Sequence, residues 1–347
     1  MSTKHSRTPV LRMAALAVVG ASVVTALAVT LPGRADASNG GPGVKRHTIT
    51  QMVALTDNGP ADQTLSAVVY EPKGQRARGI QVMIPGATYD HRYYDLNARV
   101  SQAREASEAG WISVAIDRLG TGRSSRPAAD RLNGASHAAT IHQLVRRLKA
   151  TYKGLPVALV GHSLGSTIAI EEAARYKDVD AVVTTGFLHH AGAAGGLLNT
   201  LMHPAAEDTE FTDRSTVPAG YLTTRDGLRH LFYWPFNAGL KTVEADAAAK
   251  QTTTASEVTG FVAEQNDDTF STEVTVPVLA VVGEHDLFFF DPADRDKAVA
   301  EEPSAYRASP EADAEVIPDA GHDLALQRNA DTTTAFIDTW LSRKIRL

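Results

Sequence analysis

Residues 157–176 read Val157-Ala158-Leu159-Val160-Gly161-His162-Ser163-Leu164-Gly165, followed by Ser166-Thr167-Ile168-Ala169-Ile170-Glu171-Glu172-Ala173-Ala174-Arg175-Tyr176. Val157–Val160 is a short apolar β-type run, and Leu164–Tyr176 has helical composition and length. The hinge between them is G-x-S-x-G. A turn from strand to helix this tight needs glycine at both ends to avoid backbone collision, and it lifts the hydroxyl of Ser163 above the sheet edge. The following helix aims its positive end at that hydroxyl, favouring negative charge there.

Outward from this segment, β-type and helix-type runs alternate. Upstream, Thr48–Leu55 and Leu65–Tyr70 predict two strands around the turn Asp57-Asn58-Gly59-Pro60. Their short connection predicts an antiparallel pair. Ile80–Ile84 and Trp111–Ile116 read as strands, and residues 95–109 and 135–151 as helices. Downstream come strand Ala181–Thr185, strand Val278–Val282, helix 292–302, strand Ala314–Ile317 and a closing helix over 323–345. Such alternation implies an α/β fold with a mostly parallel central sheet covered by helices on both faces. Between about 187 and 272 the alternation is lost. A stretch that long must have structure of its own, and it reads as an inserted cap.

A serine hydroxyl needs a base to take its proton, and the chain has 12 histidines. In a parallel sheet the loops after strand C-termini share one edge. His322, in Asp319-Ala320-Gly321-His322 after the last strand, is placed on that edge. His162 adjoins the serine but is turned away from it by the hinge, and His189, His190 and His203 fall in the cap. The acid should also follow a strand. Gly283-Glu284-His285-Asp286 offers two carboxylates, and Asp286 lies further over the edge. Two backbone N–H donors are needed for a tetrahedral oxyanion. Leu164 supplies one, and the loop Ile84-Pro85-Gly86-Ala87-Thr88-Tyr89 supplies the other, most simply from Ala87.

With these segments placed, residues 48–345 resemble the α/β-hydrolase family. Pro85-Gly86-Ala87, Gly161–Gly165, Gly283–Asp286 and Gly321-His322 carry the resemblance, together with Asp117-Arg118-Leu119-Gly120-Thr121-Gly122-Arg123-Ser124. The last resembles the family's D-x-x-G-x-G-x-S loop, which makes Asp117 structural. The family often has His-Gly where this chain has Pro85-Gly86, so the identity of the first donor is the least fixed part of the site. The resemblance implies an α/β-hydrolase fold and a serine hydrolase of the esterase or lipase kind. Its nucleophile is a serine, whereas relatives that open epoxides or displace halide use aspartate.

Apolar cap residues favour a hydrophobic ester as the small-molecule substrate. Tyr89, Phe232, Trp234 and Phe288 are the candidate substrate-binding residues, although cap aromatics serve equally well as the cap's own core. Lactone, amide or carbon–carbon hydrolysis, peracid formation and a non-catalytic binding role remain open on the same fold. No cofactor or metal is implied. A metal site built from His189, His190 or His203 with Asp208 or Asp213 lacks any tight ligand motif.

The N-terminus reads separately. Lys4, Arg7 and Arg12 precede an uncharged run from Met13 to Leu31, then Pro32-Gly33 and Ala35-Asp36-Ala37. That order predicts a secretory signal over residues 1–37, cleaved after Ala37, and hence a secreted protein with no lasting membrane anchor. A retained anchor competes, because the run is nearly long enough to span a bilayer. Four basic residues and one acid leave with the leader, so the net charge goes from −6 to −9. That charge offers no footprint for nucleic acid. With no cysteine, an exported chain must be held by its core, and thiolate chemistry is excluded. Oligomeric state is not legible.

Overall fold

The computed structural model describes residues 43–211 and 217–345. The leader read over residues 1–37, nearly all of the linker after it, and Asp213 lie outside the described residues.

The chain opens with β1 (Val44–Val53) and β2 (Gln63–Pro72), antiparallel in register from Val44–Pro72 to Val53–Gln63, as their short connection predicts. There follow β3 (Gly79–Ile84), α1 (Gln102–Glu108), β4 (Trp111–Asp117), α2 (Gly134–Thr151), β5 (Val157–His162), α3 (Leu164–Tyr176) and β6 (Ala181–Thr185). Next come β7 (Met202–Pro204), β8 (Tyr221–Thr224), α4 (Leu240–Ala248), β9 (Thr253–Thr254) and α5 (Ala255–Gln265). The chain closes with β10 (Val278–Gly283), α6 (Arg295–Glu301), β11 (Ala312–Ile317) and α7 (Ala330–Lys344).

Eight strands form the central sheet in the order β1-β2-β4-β3-β5-β6-β10-β11. β2 runs antiparallel to β1 and β4, and every pairing from β4 to β11 is parallel. Every residue of β3, β4, β5, β6 and β10 is buried. This is why those strands read as continuous apolar runs: helices cover both faces. Because the strands are parallel, the loops after β3, β5, β6, β10 and β11 emerge at one edge.

Two helices start seven residues later than the sequence expectation, and α6 three residues later. Residues 95–101 are not helical. The Asn97 side chain accepts the Arg99 amide at 2.9 Å, and Ser101 caps α1 by accepting the Arg104 amide at 3.2 Å. Short polar side chains here satisfy the backbone locally and delay the helix. The closing helix starts at Ala330 rather than at 323. The amides of Asp323 and Arg328 are taken by the carbonyls of Phe232 and Asn237, and Leu324–Leu326 forms a single 3-10 turn.

Between β6 and β10, β7, β8 and β9 pair as a small antiparallel sheet beside α4 and α5. The sequence reading gave this insert structure but no strands. Strands of two to four residues are too short to display a period of two.

Candidate active site

β5 ends at His162 and α3 begins at Leu164, so Ser163 alone makes the turn, with φ 52° and ψ −120°. A non-glycine residue held there costs on the order of 1–3 kcal/mol. The surroundings hold it: the Ser163 amide donates to the Thr185 carbonyl at 2.8 Å, and its carbonyl accepts the Ser166 amide at 2.8 Å. Neither flanking glycine tolerates a side chain. A Cβ at Gly161 would lie 2.3 Å from the Gly165 carbonyl oxygen, and one at Gly165 would lie 2.1 Å from that of Ile84.

Asp286 follows β10 and is fully buried. One carboxylate oxygen accepts the Phe288 amide at 3.2 Å, and the other lies 2.9 Å from Nδ1 of His322. Glu284 points elsewhere, accepting the Asp319 amide and pairing with Arg295. The His322 ring is enclosed by Phe288, Phe289, Phe232 and His162, with ring centres 4.8–5.8 Å away. Burial alone would push this imidazole down. The charge and hydrogen bond of Asp286, with Asp323 adding to them, outweigh it and raise its pKa above the ordinary histidine value.

Among the described residues the Ser163 hydroxyl makes no hydrogen bond. Gly186, next to the Thr185 that receives the Ser163 amide, faces the imidazole: a Cβ there would come 3.1 Å from Cε1 of His322. Gly186 therefore sits between the backbone that anchors Ser163 and the imidazoles of His162 and His322. Catalytic hydrogen bonds are commonly long without substrate and tighten when it binds.

On the other side, a Cβ at Gly86 would lie 3.0 Å from Cβ of Ser163. The amides of Ala87 and Leu164 have no hydrogen-bond partner among the described residues. Two unspent donors therefore flank the serine.

His162 is turned away from Ser163 and lies inside the protein, stacked on Tyr93 with centres 4.1 Å apart. Burial and the neighbouring His322 charge push it well below its usual range. Its Nε2 stands 3.5 Å from Oδ1 of Asp323, and neither atom has a hydrogen-bond partner. Asp323, directly after the base, is fully buried. Burial and Asp246 raise its pKa to about 7.

Two of the four residues expected to contact substrate, Tyr89 and Phe232, lie outside the apolar cavity beside His322. Tyr89 does not line the cavity: its ring lies under Arg229 and its hydroxyl donates to Asp323 at 2.5 Å. Phe232 packs on His322 and is not a wall residue either. Trp234 and Phe288 are, with Tyr233, Leu231, Leu287 and His322, in an apolar cavity of about 480 Å³. Ser163 is not part of that wall.

The other histidines are engaged elsewhere. His203 contacts Asp208 at 2.8 Å. His189 bridges Ser271 at 2.7 Å and Glu302 at 3.0 Å. That array copies the order of a proton relay, but Ser271 is 2% exposed and the next amide, Thr272, is spent on the Asp268 carbonyl. The array ties the insert to the sheet domain through Glu302. Asp117 is structural, as expected: it accepts the backbone amides of His91 and Arg123 and touches Nδ1 of His91 at 2.6 Å. Sequence reasoning missed Arg118, Arg229, Asp246, Glu257 and Asp323. Only Arg118, inside the D-x-x-G-x-G-x-S loop, and Asp323, beside the base, carried any local signal.

The profile of the Alpha/beta hydrolase family matches residues 81–335. Among solved structures, an esterase from Exiguobacterium antarcticum superposes with a TM-score of 0.58 at 15% identity, over 84% of this chain and 98% of the other. A thermostable carboxyl esterase from Bacillus coagulans gives 0.60 at 18% identity, over 87% and 99%. E-2-(acetamidomethylene)succinate hydrolase gives 0.54 at 20% identity, over 85% and 99%. No curated protein matches the chain in sequence.

Proposed function

Because the chain belongs to the alpha/beta hydrolase family, we propose that it is a serine hydrolase that cleaves carboxylic esters bearing an apolar acyl or alcohol part. The observation that carries this reading is the His322–Asp286 pair, 2.9 Å apart, set beside a strained serine with two unspent amides.

In this mechanism the Ser163 hydroxyl attacks the ester carbonyl while Nε2 of His322 takes its proton. The carbonyl oxygen becomes an oxyanion facing the amides of Ala87 and Leu164; each such donor is worth on the order of 3 kcal/mol in the transition state. Asp286 keeps Nδ1 of His322 protonated and stabilises the imidazolium. Collapse breaks the ester bond, and the alcohol leaves with the proton from His322. Water then repeats the sequence on the acyl-enzyme and returns free Ser163. The apolar cavity beside His322 supports a hydrophobic substituent, which gains about 25 cal/mol per Å² of apolar surface buried.

We further propose that the chain is exported and cleaved after Ala37. One experiment tests both readings. The full chain is expressed with export, its mature N-terminus is expected at Ser38, and the recovered protein is assayed on p-nitrophenyl esters from acetate to dodecanoate. Rates should rise beyond acetate, and Ser163→Ala should abolish turnover. Retained activity in Ser163→Ala removes the serine mechanism, and a flat chain-length profile removes the apolar pocket.

A further inference from the structure

The loop that carries the Ala87 amide is held from both sides by buried charges. On one side Arg118, 1% exposed, donates through Nε to the Pro85 carbonyl at 2.9 Å and through Nη2 to the Gly86 carbonyl at 3.0 Å. Its Nη1 pairs with Glu257 of α5, which also accepts the Thr254 amide at 2.7 Å and contacts Nε2 of His137 at 2.7 Å. On the other side Arg229 forms a two-pronged pair with Asp246 of α4 at 2.9 and 2.7 Å. The same guanidinium donates to the Thr88 hydroxyl at 3.1 Å and lies 4.1 Å above the Tyr89 ring. The Thr88 carbonyl accepts the Gln251 amide at 2.9 Å. Glu257, Arg229, Asp246 and Gln251 all come from the insert.

These contacts decide where one amide points. A trans peptide directs its carbonyl and its N–H to opposite sides. Arg118 fixes the Gly86 carbonyl and therefore aims the Ala87 N–H away from the guanidinium. Thr88 must then adopt φ 61°, a conformation that β-branched residues rarely hold. Its hydroxyl and its carbonyl are both secured by the insert. Without the Arg118 clamp only the Tyr89 amide, at 3.3 Å from the Gly86 carbonyl, restrains the 86–87 peptide plane, so the donor is misaimed while the pocket survives.

We infer that the insert is a working part of the oxyanion hole: its Arg229–Asp246 pair, and its Glu257 carboxylate acting through Arg118 of the sheet domain, fix residues 85–89 on either side of Ala87, making Arg118 and Thr88 positioning residues. This rests on the proposed function, since it presumes that the Ala87 amide receives the oxyanion.

The test uses Arg118→Lys, which keeps the charge beside Glu257 but cannot reach both carbonyls. It also uses Thr88→Val, which replaces the hydroxyl with a methyl group of similar size, and Thr88→Ser, which retains the hydroxyl. Each variant is measured for kcat and KM on the best ester, for the rate of fluorophosphonate labelling at Ser163, and for melting temperature. Arg118→Lys and Thr88→Val should lose about 10- to 100-fold in kcat with KM nearly constant, the scale of a misplaced catalytic group. Their labelling rates should fall by the same factor, and Thr88→Ser should recover most of the loss. Lower melting temperature with unchanged kcat and labelling would overturn the inference, as would a rise in KM alone. If Arg118→Lys does not fold, the Thr88 pair decides by the same criteria. Failure of the wild type itself to label at Ser163 would instead strike the proposed function, and is distinguishable because it precedes any substitution.

Discussion

Ser163 occupies a backbone conformation that side-chain-bearing residues avoid, and the glycines on either side explain how the chain tolerates it: their missing side chains let β5, α3 and the end of β3 approach within van der Waals contact. The partner residue, His322, has its basicity set by opposing effects. Burial lowers it, and the adjoining Asp286 carboxylate more than restores it. A base must be neutral to accept a proton, so kcat/KM should rise on an acid limb inflecting above the ordinary histidine value of about 6.5. Asp286→Asn should move that limb to lower pH and cost on the order of 10³- to 10⁴-fold in rate at pH 8, because the tautomer is no longer held. A pH–rate profile checks both, and an unshifted limb in Asp286→Asn would count against this pairing. The candidates Ser163, Asp286 and His322 could be singled out in the sequence because each follows a strand end with a glycine within three residues. The surroundings of Tyr89 were not legible, because they depend on Arg229 and Asp323, which are 140 and 234 residues away.

At the scale of elements, α3 and β6 were legible to both ends, since Gly161, Gly165 and the helix composition leave no alternative. α1 and α7 were overextended. Their leading residues look helical in composition but have their amides claimed, by Asn97 and Ser101 in one case and by carbonyls of the insert in the other. α7 carries a second feature. Asp338, buried against the sheet, accepts from Nε2 of Gln81 at 2.7 Å, while Oε1 of Gln81 has no partner. Burial raises Asp338 to about 7 despite that hydrogen bond. The folded chain then keeps a proton that the unfolded chain, with an aspartate near 3.9, releases. Stability from this group is full below about pH 4 and is lost as pH rises toward 7, by about 1.4 kcal/mol per pH unit. Asp338→Asn should therefore raise the melting temperature at pH 8, where its amide donates to Oε1 of Gln81, and change it little at pH 4. Melting curves at the two pH values check this. A lower melting temperature than wild type at pH 8 would refute the assignment.

At the scale of the whole molecule, a mostly parallel sheet collects loops from positions 84–89, 163, 286 and 322 at one edge, and the insert between β6 and β10 supplies the buried Arg229–Asp246 pair and the Glu257 carboxylate that pairs with Arg118. The alternation of strands and helices made the sheet legible. The clamps were not, because a pairing such as Arg118 with Glu257 spans 139 residues and leaves no periodic trace in either segment. On the proposed function, this architecture serves to activate one hydroxyl among many. The most direct measurement is therefore peptide mapping by mass spectrometry after treatment with a fluorophosphonate, on the wild type and on His322→Ala. The account predicts a single adduct, on Ser163, that forms at least about 10³-fold more slowly in His322→Ala. An adduct on another serine, or equal labelling of the two proteins, would contradict it.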